Sequence, residues 1–172
     1  ALREPLEPEE RAGALMALGA AEQSLGLPTA ADHFMAAARA TRDARMRYEA
    51  AIAACEAAAF DPARNARAVE LLDDLDRPDT DRELTVRILN ARFFATFSDI
   101  DRYPAVAVEA EALPALTGAT PAECQLLAHL ARIRLAGGGT AANVAELAER
   151  AARLPTLDAA DAGPGWFVAV II

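Results

Sequence analysis

A helix-breaking or helix-capping residue recurs along this chain every 34 to 39 positions, at Pro28, Pro62, Asp101 and Thr140. Each lies between two stretches whose apolar residues repeat with helical period, so the sequence reads as a row of helical hairpins. A hairpin of that length cannot bury its apolar face alone. It must stack on its neighbours, which covers one face and leaves another as a groove. The pattern points to recognition rather than chemistry.

Composition narrows the fold class. Alanine supplies 45 of the 172 residues; it has the best helix propensity, whereas the β-branched and aromatic residues that suit strands are sparse. An all-α fold follows, with helices close together because their side chains are small. All 17 basic residues are arginine, a bias that a GC-rich genome accounts for. Without lysine there is neither a Walker-type phosphate loop nor a pyridoxal Schiff base. The net charge of -9 opposes binding to nucleic-acid phosphates or an anionic membrane surface. Cys55 and Cys124 have no CxxC or histidine spacing around them, which argues for buried free thiols in a reducing cytoplasm rather than a metal site.

Four hairpins are expected, over about 8–41, 43–75, 80–116 and 120–154, with an incomplete unit at 157–172. In the first, Leu15, Leu18, Glu22 and Leu25 follow helical spacing, and Phe34, Met35 and Ala38 continue the buried stripe. In the second, Asp61 caps and Pro62 opens the trailing helix. The third carries Leu84, Val86, Ile88, Leu89, Phe93, Phe94 and Phe97 on one helix, which is enough apolar surface for burial on two sides. Its trailing helix is expected to turn Tyr103, Val106, Ala110 and Leu113 inward and to end near Pro114. Capping boxes are expected at Thr80 with Glu83 and at Thr120 with Glu123. The chain starts without methionine and stops inside the apolar run Trp166–Ile172; both ends read as cuts through a longer protein.

The first hairpin resembles a tetratricopeptide repeat: Leu18-Gly19, Ala31 and Ala38 match that family's spaced Leu-Gly, Ala and Ala, with Met35 at its aromatic position. The later units depart from the pattern, as at Cys55-Glu56 where Leu-Gly would fall. Degenerate, alanine-rich, lysine-free hairpins with phrases such as Leu25-Gly26-Leu27-Pro28-Thr29-Ala30-Ala31 also resemble the helical-repeat region of large actinobacterial LuxR-type transcription regulators. That resemblance implies an ATP-binding module before the repeats, a helix-turn-helix module after them, and a cytoplasmic location. The segment would then bind a protein or small-molecule inducer and relay its occupancy.

Candidate sites are few. The aspartates at 73, 74, 76, 79 and 81 fit neither a DDxxD metal motif, because Arg77 interrupts it, nor a calcium loop. They suit a solvated turn. Gly137-Gly138-Gly139 has no preceding strand and no lysine, and neither Ser24 nor Ser98 lies in GxSxG. No catalytic residue, metal site or cofactor is expected. For groove binding the sequence offers Gln125, His129 and Arg132, which share one face of a leading helix at i, i+4 and i+7, and Arg87 and Asn90 one repeat earlier.

The resulting expectation is an all-α, tetratricopeptide-like superhelix of four hairpins plus a truncated fifth element, forming one repeat domain over 1–172. It serves as a regulatory binding module that does not itself bind DNA or a membrane, and its exposed ends permit self-association into a homo-oligomer. The alternatives are a tetratricopeptide adaptor that holds a partner's peptide and, from another class, a helical-bundle enzyme.

Overall fold

The computed structural model describes residues 6–75, 81–95, 103–114, 116–136 and 140–151. Asp76, Asp79, Thr80, Phe97, Ser98, Asp101, the 137–139 glycines, Leu154 and the unit expected at 157–172 lie outside these residues, as does the side chain of Tyr103. Eight helices and no strand occur among the described residues: α1 Pro8–Ser24, α2 Ala30–Ala40, α3 Ala44–Ala57, α4 Pro62–Asp73, α5 Arg82–Ala95, α6 Tyr103–Glu111, α7 Pro121–Ala136 and α8 Ala141–Ala151. None is long and apolar enough to cross a membrane. The chain divides into two compact units, Ala1–Arg77 and Pro78–Ile172.

In the first unit, α1 packs on α2, α2 on α3 and α3 on α4, and α2 also meets α4. The α1 face that turns inward is Ala12, Leu15, Met16 and Gly19, while Leu18 stays 45% and Leu25 73% exposed. The inward face follows the small residues because they let α2 come close. A methyl group at Gly19 would stand 2.8 Å from two carbons of the Phe34 ring, which is itself buried. Leu15 and Met16 of α1 and Leu71 of α4 close over Ala37, Ala38 and Ala50. Ion pairs reinforce this arrangement: Asp32 on α2 accepts from Arg64 Nε at 2.9 Å and Arg67 Nη2 at 3.2 Å on α4.

The caps explain where the helices start. Asp43 Oδ1 accepts from Met46 N at 2.7 Å, and Asp61 Oδ1 accepts from Ala63 N and Arg64 N, both at 3.1 Å. Each satisfies backbone donors that have no partner within the helix. At α5 the cap is Asp81, whose Oδ1 accepts from Leu84 N at 3.0 Å, one residue beyond the threonine that the sequence suggested.

In the second unit, α5 packs on α6 and α7, and α7 also packs on α6 and α8. Leu84, Val86, Ile88, Leu89, Phe93 and Phe94 of α5 are all buried, so this helix is covered on more than one side, as its excess of apolar residues requires. α6 ends at Glu111, three residues before Pro114, because a residue that precedes proline is pushed out of the helical region.

Only half of the expected capping box forms at α7. Thr120 Oγ1 accepts from Glu123 N at 3.2 Å, but the Glu123 carboxylate reaches past residue 120 into the preceding turn. Its Oε2 accepts from Thr117 N at 3.0 Å, Thr117 Oγ1 at 2.9 Å, Gly118 N at 3.0 Å and Ala119 N at 3.2 Å. Its Oε1 accepts from Arg82 Nη2 at 2.9 Å. Burial works to raise the pKa of this carboxyl, but the hydrogen bonds from Arg82, Thr117 and Ala119 outweigh it and hold the group at about 2.

Two glycines of α1 separate helix propensity from packing. Gly13 has nothing within 4 Å of an added methyl group, so Gly13→Ala gains about 1 kcal/mol from helix propensity alone. Gly19→Ala makes the same gain but drives a methyl into the buried Phe34 ring, where overpacking costs about 1–3 kcal/mol. Urea unfolding midpoints should therefore move in opposite directions for the two variants.

Candidate functional site

The five groove residues suggested by the sequence belong to α5 and α7. His129 is fully buried and Asn90 is only 2% exposed. The His129 ring stacks on Phe93 with centroids 5.1 Å apart and planes 17° apart, and it meets the Phe94 ring edge-on at 5.4 Å. Asn90 Nδ2 donates to the Ala122 carbonyl at 2.9 Å, which ties α5 to the start of α7. These two side chains therefore face the interior, not an open groove. The reason is that α7 is buried at every position from Glu123 to Ala131 except Gln125, so its covered arc is wider than the leucine stripe alone implies.

Gln125, Arg132 and Arg87 are half-buried. Burial pushes the Arg132 guanidinium below its ordinary pKa. Burial also pushes the His129 imidazole down to about 3, so near neutral pH it is an uncharged aromatic filler.

The first unit presents a different kind of feature. A half-open cleft of about 370 Å³ lies between the α1–α2 turn and the α3–α4 turn, lined by Gln23, Gly26, Leu27, Pro28, Ala30, Ala57, Phe60 and Asp61. Local chain geometry builds both walls. Gly26 takes a φ of 68°; Leu27 N then donates to Glu22 O at 2.9 Å and Gly26 N to Gln23 O at 3.0 Å, a Schellman ending that glycine permits at little cost. The turn swings Leu27 and Pro28 to the cleft. On the opposite wall Asp61 caps α4, Pro62 starts it, and Phe60 projects from the turn with 90% of its surface exposed.

Leu27, in the lining, is 45% exposed. Two polar groups, the Gln23 amide and the Asp61 carboxylate, stand in the lining. Asp61 is already engaged: Arg64 N, Arg64 Nη1 and Ala63 N donate to it, and the Arg64 backbone and side-chain hydrogen bonds lower its pKa. A mostly apolar recess of this size has room for a small apolar molecule or one anchoring side chain.

None of the cleft residues is one of the five groove candidates. Gln23, Ala30 and Ala57 sit at helix ends and the others in turns, where helical periodicity carries little signal, although Leu27 and Phe60 stand beside Pro28 and Asp61-Pro62 in the sequence. His33 Nδ1 and Glu22 Oε2 pair across α1 and α2 at 2.7 Å. Cys55 and Cys124 are buried free thiols. Among the described residues no group of three or more histidine, cysteine, aspartate or glutamate side chains is arranged to hold a metal ion.

No protein-family model, no curated protein and no solved structure matches this chain.

The buried histidine makes the second unit sensitive to acid. Because the folded pKa of about 3 lies below the ordinary 6.5, the unfolded chain takes up the proton first, and stability falls as the pH drops through that window. Between pH 6 and pH 5 the loss approaches about 1.4 kcal/mol per pH unit. His129→Leu should flatten this part of the profile in urea titrations followed by circular dichroism. The Glu123 contribution, present above pH 4.5 and lost toward about 2, should remain.

Proposed function

We propose that this chain is a binding module, a tetratricopeptide-like superhelix that acts as the sensing arm of a LuxR-type transcription regulator and carries no catalytic activity of its own. Two packing relations support the repeat reading. α2 meets α4 within the first unit, and α5 meets α7 within the second; contact between like helices of successive hairpins is how a helical array extends. The observation that carries the binding role is the cleft at Leu27 and Phe60, because a phenylalanine left 90% exposed beside a recess offers apolar surface that an occupant would cover. Its occupant would be a small-molecule inducer of mainly apolar character. In the adaptor reading, favoured by the open mouth, it is one apolar side chain of a partner peptide.

A mixture of small aromatic and aliphatic compounds, screened by ligand-observed NMR, tests the site. At least one saturable binder is expected, lost in Phe60→Ser and Leu27→Ser and kept in Val108→Ser, which alters an exposed residue of the second unit. A cleft that takes up no compound, or binders indifferent to both substitutions, would remove the inducer reading. The regulator assignment has a separate test: the full reading frame should encode an ATP-binding module before this segment and a helix-turn-helix after it. Their absence would leave the adaptor.

A further inference from the structure

The last described helix docks on its unit from one side. Along α8 only Ala151 is buried; Val144, Leu147, Ala148 and Arg150 are half-buried, and most of the rest are exposed. Its main packing partner is α7. A helix docked on one partner with so little buried surface can open without unfolding the rest of its unit.

A second contact secures its C-terminal turn. Gly118 adopts a φ of 75°, and a methyl group there would stand 2.9 Å from the Arg150 carbonyl oxygen of α8, 3.5 Å from Cys124 Sγ and 3.6 Å from a Leu127 methyl. The 117–119 turn is thus pressed between α8 and the first turns of α7. What fixes the turn is Glu123, whose one carboxylate oxygen gathers three successive backbone amides and the Thr117 hydroxyl while the other takes Arg82 from α5. Cys124 Sγ adds a bond to Gly118 O at 3.2 Å.

We propose that α8 is a strap that opens as a local unit, and that Glu123 is its latch, acting through the 117–119 turn. While the carboxylate holds the turn, Gly118 stays against Arg150 and the strap lies on α7. When the turn relaxes, α8 loses its second contact and lifts, which uncovers the Cys124 and Leu127 side of α7. The device makes that apolar strip available conditionally, and it stands independently of the cleft in the first unit.

Cys124 reports the event. In the 172-residue chain carrying Cys55→Ala, N-ethylmaleimide labelling of Cys124 should proceed under native conditions with a much shallower urea dependence than the loss of helical signal. Glu123→Gln should speed labelling at least tenfold beyond what its change in global stability explains. Gly118→Ala, which keeps the carboxylate but crowds Arg150, should do the same, and amide hydrogen exchange across 144–150 should rise in step. Labelling that tracks global unfolding in the unsubstituted latch overturns the strap, whether or not Glu123→Gln folds. Exchange that quickens only at 117–124, with 144–150 still protected, overturns the coupling to α8.

Discussion

Close approach between helices, made possible by small side chains, is the constraint on which both units depend. Alanine buries little apolar surface, and each CH₂ taken out of water contributes only about 0.8 kcal/mol. A core made largely of alanine gains cohesion through short interhelical distances and dispersion contacts. Gly19 against Phe34, and the fully buried Ala31, Ala37, Ala50, Ala51 and Ala54, are this principle in the first unit. The second uses Ala91, Ala128 and Ala131 in the same way.

Such close packing leaves few large residues to fix the register of each helix, so those present take on more than one role. Phe93, Leu126, Leu127 and Ile52 fill volume. His129 joins them, since an imidazole kept neutral by burial is close to an aromatic ring in shape and stacks on Phe93. Polar groups then supply directional contacts that alanine cannot. Asn90 reaches Ala122, Arg64 and Arg67 reach Asp32, and Glu123 organises a whole turn. A carboxylate that accepts several amides together with a guanidinium is favoured in its charged form despite burial.

The two units differ in what they offer to other molecules. The first places apolar side chains at turn tips, where stiff caps at Asp61 and Gly26 hold them beside a recess. The second has α5 and α7 covered, and its last described helix docks on α7 with one buried residue. Recognition by a preformed recess costs little reorganisation, whereas a surface hidden under a helix is available only after that helix moves.

Much of the helical framework was legible in the sequence because helix period and capping are local. The expected starts at Pro62 and after Thr120, the two-sided burial of α5 and the burial of Phe34, Met35 and Ala38 needed no knowledge of neighbours. Local signals fell short where two partners shared a role. Periodicity marked Leu18 as apolar, but Gly19 set which face of α1 approached α2. A face with Gln125, His129 and Arg132 looked polar, but packing of α5 against α7 enclosed His129 between phenylalanines. Glu123 had the spacing of a capping box, yet its carboxylate found three amides and an arginine from 41 residues away. The sequence by itself determined helix, turn and cap, since those depend on residues within one turn of each other. Tertiary structure alone decided which side chains were buried, which recess was left open and which carboxylate became a hub, because each requires groups distant in the chain.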